Sequence, residues 1–255
     1  MNPATVTSIV RSVAETEILP RFRALAAHQI REKGPGNLVT EADTEAELRL
    51  AERLTALLPG SAVVGEEAVA DDPGVLDALT GDRPVWVLDP VDGTGNFARG
   101  RPLFAVIVAL VRGGRTLQGW IHDPLSDITF HAIAGRGAWA GDRRLSIAAA
   151  PDLGQMAGSL GWRRNRRIQE RVRRVVRQGS VAHDYLCLAE SSLHFALYRR
   201  LNPWDHAAGV LMHHEAGGYS ALLDGQPYRP LPNVGTDLLL APDRQSWQVL
   251  RDLAE

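Results

Sequence analysis

One nine-residue segment, Trp86 to Thr94 (WVLDPVDGT), constrains the fold more than any other part of the sequence. An apolar strand runs into two aspartates, and Pro90 restricts the residue before it to extended backbone. Asp89 therefore projects from the strand end, and Asp92 returns three residues later toward the same point. Their carboxylates and the Val91 carbonyl give three oxygens from one turn, which suits Mg²⁺, a hard cation with octahedral oxygen ligands at about 2.0–2.1 Å.

The same turn also predicts an anion site. Asp92, Gly93 and Thr94 open a short predicted helix, whose first backbone amides have no acceptor within the helix and therefore suit a phosphate group. Gly93 allows the backbone to come close to the anion. The segment thus combines metal ligands with phosphate-binding amides at Gly93 and Thr94.

Other carboxylates stand where they can converge on this turn. Glu66 and Glu67 also follow an apolar strand, Asp205 begins an Ala- and Gly-rich helix, and Asp43 stands at the start of the second predicted helix. Two like charges 4 Å apart repel by about 4 kcal/mol at an effective dielectric of 20, so convergence implies bound cations. Each residue alone is also compatible with a helix cap or a solvated turn.

The composition is that of an ordinary globular protein. The chain has 255 residues, 45% of them hydrophobic and 23% charged, with a formal net charge of −2, so no global field favours nucleic acid or an anionic membrane. A single cysteine, Cys187, excludes an intramolecular disulfide. The N-terminus lacks the pattern of a signal peptide, and the longest apolar run is far shorter than the roughly 20 residues of a membrane span. We expect a soluble, cytoplasmic protein.

Apolar periodicity predicts helices over residues 4 to about 30 and 43–58, separated by a flexible loop from Lys33 to Asn37. A strand meander follows, and then further helices over about 168–178, 183–199 and 205–216. The change in character near residue 145 predicts two subdomains: residues 1–144 with an α+β arrangement and the metal and phosphate site, and residues 145–255 with an α/β arrangement that completes the site.

These segments together resemble the inositol monophosphatase family over nearly the whole chain. The resemblance is carried by three signatures in the order found in that family: Gly65-Glu66-Glu67, Asp89-Pro90-Val91-Asp92-Gly93-Thr94 and Trp204-Asp205-His206-Ala207-Ala208-Gly209. Leu38 to Asp43 resembles the upstream threonine–aspartate segment of the family, and Gly135 to Trp139 its glycine-rich hairpin.

The resemblance implies an α/β fold, a layered αβαβα sandwich, and a homodimeric, Mg²⁺-dependent hydrolase of small phosphomonoesters such as inositol 1-phosphate. It implies two or three Mg²⁺ ions, with the metal ligands Glu66, Asp89, the Val91 carbonyl, Asp92 and Asp205. Glu67, Asp43 and Thr94 are implied to organise the attacking water, and the amides of Gly93 and Thr94 to bind phosphate together with Asp205.

The substrate end departs from the family pattern. Inositol-specific members often carry a glutamate a few residues before the Trp-Asp signature, whereas this chain has Tyr198 there. A phenol can stack against an alcohol or hydrogen-bond to it, which makes Tyr198 a candidate substrate-binding residue. Histidinol phosphate and 3′-phosphoadenosine 5′-phosphate, a 3′(2′),5′-bisphosphate nucleotide, therefore stay open as alternative substrates, as does fructose 1,6-bisphosphate.

An arginine-rich segment keeps a different class of function open. Residues 162 to 177 include eight arginines and one glutamate. The segment is compatible with a solvated surface, with recognition of a second phosphate, or with a regulatory protein that binds RNA or the transcription machinery. The complete carboxylate set favours an enzyme over a binding protein, and nucleic acid is the less expected partner.

Overall fold

The computed structural model describes residues 1–34, 37–161, 165–232 and 235–254. The strands in chain order are β1 Ile30–Gly34, β2 Asn37–Thr40, β3 Ala62–Gly65, β4 Val85–Asp92, β5 Ala105–Arg112, β6 Arg115–Asp123, β7 Ile128–Ile133, β8 Gly137–Ala140, β9 Arg143–Arg144, β10 Ala157–Ser159, β11 Arg174–Val176, β12 Phe195–Tyr198, β13 Tyr219–Leu222 and β14 Leu238–Ala241. The helices are α1 Pro3–Val13, α2 Glu41–Leu57, α3 Glu66–Asp71, α4 Thr94–Ala98, α5 Arg166–Gln169, α6 Val181–Ala189, α7 Pro203–Glu215 and α8 Arg244–Ala254.

A seven-stranded sheet with the order β3-β4-β5-β6-β7-β8-β9 is the first layer of strands. Its β3 and β4 are parallel, and the later neighbours pair antiparallel. All eight residues of β4 are buried because helices cover both faces of the sheet. This explains why the strand before Asp89 is a continuous apolar run.

Helices α1 and α2 cover one face of this sheet. Their apolar stripes pack against Trp86, Leu88 and Trp120 of the sheet in one buried cluster. The spacing of Val6, Val10 and Val13, all fully buried, gives α1 its apolar stripe. These two helices therefore form the outer layer behind the strand that bears the aspartates.

Helices α6 and α7 lie between the first sheet and a second sheet of five strands with the order β11-β10-β12-β14-β13. One buried cluster joins the first sheet, these two helices and the inner face of the second sheet. The outer face of the second sheet packs against α5 and α8. Ile168, Trp247 and Leu250 of these helices belong to a separate buried cluster. The layers alternate as predicted for an αβαβα sandwich, and the α/β fold class is confirmed.

Several predicted elements differ from the structure. The first predicted helix is too long, since the chain is continuously helical only to Arg21: α1 continues as a π-helical turn, Ala14–Ile18, and a 3₁₀ turn, Leu19–Arg21. Pro20 offers no backbone N–H and cannot continue an α-helix. The predicted loop after Lys33 is also wrong in part, because Lys33 and Gly34 end β1, which pairs with β2; Pro35 and Gly36 lie outside the described residues.

In the second half, two helices were predicted too long. Where one helix was predicted over 168–178, the structure has the end of α5 and the strand β11; where another was predicted over 183–199, it has most of α6 followed by β12. Short buried strands such as β12 read like helix segments, because apolar runs of four residues carry no clear period. The subdomain boundary near residue 145 stays a prediction. Within the part of the chain described, no helix is both long and apolar enough to cross a membrane.

Candidate active site

Three aspartates meet where β4 ends and α7 begins. Asp89, Asp92 and Asp205 each place a carboxylate oxygen within 4.8 Å of the other two. Asp89 and Asp92 are buried and Asp205 is half-buried. Burial raises the pKa of Asp92 to about 6 and raises those of Asp89 and Asp205 well above their ordinary values. Three carboxylates with raised pKa values in one small space are the electrostatic signature of a cation site.

An irregularity in the sheet aims the two aspartates of β4 at this point. In a regular strand, side chains three residues apart point to opposite faces of the sheet. The pairing of β4 with β5 shifts register between Asp89 and Asp92, which breaks this alternation. The Val91 amide donates to Asp89 Oδ1 at 3.1 Å and closes the turn. The Thr94 hydroxyl donates to the Val91 carbonyl at 3.0 Å. The sequence-predicted turn therefore forms as a compact unit.

The parallel pairing of β3 with β4 carries Glu66 to the same place. Gly65 pairs with Leu88, and the residues that follow them are Glu66 and Asp89, respectively. The negative charge of Glu66 contributes to the raised pKa of Asp89. Lys33 of the β1–β2 hairpin contacts both glutamates, with Nζ 3.1 Å from Glu66 Oε1 and 2.9 Å from Glu67 Oε1. Glu66 and Glu67 therefore adjoin the aspartates with a lysine ammonium bound to them.

Asp43 and Thr94 are held together on the other side of the turn. The Thr94 hydroxyl lies 3.1 Å from Asp43 Oδ1, while Asp43 Oδ2 accepts from the Thr40 amide at 2.8 Å and from its hydroxyl. Thr40 and Asp43 form a capping box at the start of α2. Asp43 is 1% exposed, and burial raises its pKa to about 7. Asp43 therefore takes part in an ordinary helix cap and at the same time contacts Thr94.

Gly93 is required by its backbone conformation. Its φ is +90°, and a Cβ there would come within 2.7 Å of the Leu103 carbonyl oxygen. The chain thereby turns sharply into α4, whose first amides follow directly on Asp92. The structure therefore keeps the predicted phosphate-binding amides of Gly93 and Thr94 adjacent to the aspartates.

Two residues that the sequence analysis did not identify brace this turn. The Ser180 hydroxyl donates to Asp92 Oδ2, which also accepts from the Ala182 amide, and the Val181 amide donates to Asp92 Oδ1. The side-chain amide of Asn96 donates to the backbone carbonyls of Leu103, Gln178 and Gly179. Ser180 caps α6, which begins at Val181 and was predicted to begin two residues later, at 183. The Ser-x-x-His pattern from Ser180 to His183 was the missed signal.

Tyr198 is a buried residue at the end of β12. It is 4% exposed, its ring packs 4.8 Å from that of His206, and its hydroxyl donates to Asp184 Oδ2 at 3.0 Å. Asp184 also accepts from Gln178. The phenol is thus engaged in a buried hydrogen bond, and a substrate contact by Tyr198 stays a prediction.

The arginine-rich segment is seen only in part, since Trp162, Arg163 and Arg164 lie outside the described residues. The remaining arginines of the segment are exposed, which agrees with a solvated surface: Arg166, Arg167, Arg171, Arg173, Arg174 and Arg177.

The chemistry of the donor set fits Mg²⁺. The groups at the cluster are carboxylate and carbonyl oxygens, with neither a thiolate nor an imidazole among the predicted ligands, and hard cations prefer such oxygens. Asp92 accepts three hydrogen bonds through its two oxygens, and since each oxygen can accept two, its Oδ1 retains one acceptor direction. Asp205 uses Oδ2 to accept from Asn202 at 3.1 Å.

Comparison with known proteins agrees with this geometry. The profile of the inositol monophosphatase family matches residues 4–250. The chain belongs to the inositol monophosphatase family. The inositol-1-monophosphatase of Bacillus subtilis is 31% identical over 210 residues, which are 78% of this chain and 77% of that protein. The fructose-1,6-bisphosphatase/inositol-1-monophosphatase of Thermotoga maritima is 31% identical over 194 residues, 74% of this chain and 72% of that protein.

A solved structure extends the comparison to the fold of this inositol monophosphatase family member. An IMPase of Thermotoga maritima superposes with a TM-score of 0.83 at 25% identity, covering 99% of this chain and 97% of that one. The names of the relatives indicate a phosphatase with a small phosphorylated substrate, and the acidic triad can bind a metal ion.

Proposed function

We propose that the protein hydrolyses small phosphomonoesters in a Mg²⁺-dependent reaction, with compounds resembling inositol 1-phosphate as the nominal substrate class. One observation carries the proposal: Asp89, Asp92 and Asp205 bring oxygens within 4.8 Å of one another in a largely buried site. Membership of the family supports the reaction class.

The proposed ligands of two or three Mg²⁺ ions are Glu66, Asp89, the Val91 carbonyl, Asp92 and Asp205. Bound Mg²⁺ lowers the pKa of water and stabilises negative charge on phosphate and leaving-group oxygens. The protein's part is to hold these oxygens in place without a cation, and the hydrogen bonds to Asp89 and Asp92 do so. A cation held by these carboxylates would offset the repulsion among them.

The attacking water is proposed to bind between Thr94 and Glu67. The Thr94 hydroxyl has Asp43 and the Val91 carbonyl as acceptors, so its oxygen can accept a hydrogen bond from water while its proton points to one of them. Burial raises the pKa of Asp43 to about 7 and raises that of Glu67, which suits either carboxylate to receive a proton near neutral pH.

Phosphate is proposed to bind at the start of α4. The amides of Gly93 and Thr94 donate to its oxygens, and Asp205 helps to orient the ester on the opposite side. Because Gly93 has a positive φ and no side chain, the anion can approach the backbone closely.

The identity of the leaving alcohol is less constrained than the phosphate chemistry. Relatives named as inositol-1-monophosphatases favour a polyol phosphate, and the Thermotoga relative carries fructose-1,6-bisphosphatase in its name as well. Tyr198 stands where inositol-specific members often carry a glutamate, and its hydroxyl donates to Asp184. Histidinol phosphate and bisphosphate nucleotides therefore remain in the substrate panel. A homodimer in the cytoplasm stays part of the proposal.

The test is phosphate release from inositol 1-phosphate, histidinol phosphate, 3′-phosphoadenosine 5′-phosphate and fructose 1,6-bisphosphate, with and without Mg²⁺. We expect Mg²⁺-dependent turnover of at least one ester, and loss of turnover in Asp92→Asn. Wild-type turnover by Asp92→Asn in saturating Mg²⁺ would contradict the scheme.

A further inference from the structure

Glu47 is a buried carboxylate of α2 that belongs to none of the groups assigned above. It is 7% exposed, and both of its oxygens accept backbone hydrogen bonds from another helix. Oε2 accepts from the Glu67 amide at 2.9 Å and Oε1 from the Ala68 amide at 2.8 Å. A buried carboxylate is costly unless it is paired in this way, so these two bonds fix where its side chain lies.

The amides that Glu47 binds belong to the first turn of α3, which begins at Glu66. The residue before that helix is Gly65, which has no side chain to cap it. Glu47 therefore supplies from α2 the cap that the local sequence lacks. Since α3 is only six residues long, few hydrogen bonds of its own hold its first turn in place.

The close approach of Glu47 depends on Gly65. A Cβ on Gly65 would lie 2.2 Å from Glu47 Cδ and 2.4 Å from each of its oxygens. The backbone of Gly65 is extended, with φ −104° and ψ 157°, so its conformation alone does not require glycine. The absent side chain makes room for the carboxylate of Glu47.

We infer that Glu47 is a positioning residue for the metal site, which sets the direction of Glu66 and Glu67 by clamping the backbone between β3 and α3. The inference rests on the proposed function, in which Glu66 is a metal ligand and Glu67 organises water. Glu47 itself does not contact the aspartates through any hydrogen bond of the described residues; it acts through the amides of Glu67 and Ala68. Partners that orient a metal ligand typically change metal affinity 10- to 100-fold when removed.

The experiment measures Mg²⁺ affinity by calorimetry on metal-stripped full-length protein without substrate, together with kcat and the Mg²⁺ dependence of turnover. We expect Glu47→Ala to weaken Mg²⁺ binding about 10- to 100-fold. Glu47→Gln should show a smaller loss, because its amide oxygen still accepts from one of the two backbone amides. Glu52→Gln is the matched control, since Glu52 is an exposed carboxylate of the same helix, and we expect wild-type affinity.

Gly65→Ala tests the same contact without altering Glu47. We expect it to weaken Mg²⁺ binding in the wild-type background, because the added methyl group displaces the carboxylate. In a Glu47→Ala background the methyl group has room, so the double variant should bind Mg²⁺ about as well as Glu47→Ala alone. This non-additivity identifies the contact in a double-mutant cycle.

Two results would overturn the inference. One is wild-type Mg²⁺ affinity in folded Glu47→Ala, even if its melting temperature falls, since that indicates a role in stability alone. The other is a full additional loss from Gly65→Ala in the Glu47→Ala background. A wild-type protein that binds Mg²⁺ but hydrolyses none of the phosphomonoesters contradicts the proposed function only, because affinity is measured without substrate.

Discussion

The Nζ atom of Lys33 lies 2.9 Å from Oε1 of Glu67, so the β1–β2 hairpin is joined to the candidate metal site by an ion pair. The same ammonium contacts Glu66 at 3.1 Å, and the lysine side chain is 16% exposed. Burial lowers the pKa of Lys33, but the charges of Glu66 and Glu67 outweigh it and raise that pKa overall. Lys33 is the single lysine of the chain, and it neutralises part of the acidic cluster.

Replacing Lys33 should therefore change metal affinity. In Lys33→Gln the two glutamates lose a cation that Mg²⁺ must otherwise compete with, and we expect Mg²⁺ to bind the metal-stripped protein roughly three- to tenfold more tightly, about 1 kcal/mol. Calorimetric titration measures this. The control is Arg31→Gln, which removes an exposed cation of the same strand. Equal affinities in both variants would show that the ion pair does not oppose metal binding.

The Ser180 hydroxyl, which donates to Asp92, gives a second prediction. Ser180→Ala removes this bond and the cap of α6, so we expect the free energy of unfolding to fall by about 1–2 kcal/mol and kcat/KM to fall about tenfold. Chemical denaturation and phosphate release measure the two effects. Ser192→Ala, three residues beyond the far end of the same helix, should leave turnover unchanged. Turnover of Ser180→Ala at the wild-type rate would show that Asp92 needs no such donor.

The pH dependence of metal binding follows from the raised pKa values. Burial raises the pKa of Asp43 to about 7 and that of Asp92 to about 6, above the value of about 3.9 in an unfolded chain. The folded metal-free protein therefore binds more protons than the unfolded chain, and these carboxyls contribute stability that is lost as the pH rises from about 4 to about 7. In the proposed function, Mg²⁺ takes the place of these protons above that range.

We accordingly expect Mg²⁺ to raise the melting temperature more at pH 8 than at pH 5. Thermal unfolding followed by circular dichroism measures this, with Asp89→Asn as the variant in which the increase at pH 8 should shrink. An increase that is larger at pH 5 would have the opposite sign and would contradict the assignment of these carboxyls to the metal site.

Tyr198→Phe separates a structural role from a substrate contact. Loss of the hydroxyl leaves the buried Asp184 without one of its donors, so we expect the free energy of unfolding to fall by about 1–3 kcal/mol while KM stays at its wild-type value. Denaturation and steady-state kinetics with the preferred ester measure both. A large rise in KM with unchanged stability would instead support the predicted substrate contact of Tyr198.

The parts of the site that the sequence predicts are those built from local geometry. The turn from Asp89 to Thr94 is local, because Pro90 and Gly93 restrict its backbone, and the structure forms it as predicted. Glu66 is brought beside Asp89 by the parallel register of β3 and β4, which no local pattern specifies. The family resemblance implied only that both residues belong to one metal site. Asp92 and Ser180 are 88 positions apart, and their hydrogen bond could not be read from sequence spacing.

Glu47 and Tyr198 show two further limits. Glu47 lies on the buried face of α2, with Ala46, Leu50 and Leu54. A charged residue in an apolar stripe indicates a hydrogen-bonding partner from another element, and this was the signal in the sequence. Tyr198 was placed by counting back from Trp204, but β12 turns its phenol into the core toward Asp184. Which side of a short, wholly buried strand faces a site is not determined by its sequence, since both faces are apolar.

Asp89→Asn tests whether the aspartate cluster holds the metal on which phosphate ester hydrolysis is proposed to depend. Asparagine keeps the shape of the side chain but removes one negative charge from the cluster. Phosphate release from the preferred ester in saturating Mg²⁺ is compared between the variant and the wild-type protein. The account predicts Mg²⁺-dependent turnover in the wild-type protein that falls at least about a hundredfold in folded Asp89→Asn; wild-type turnover in that variant would contradict it.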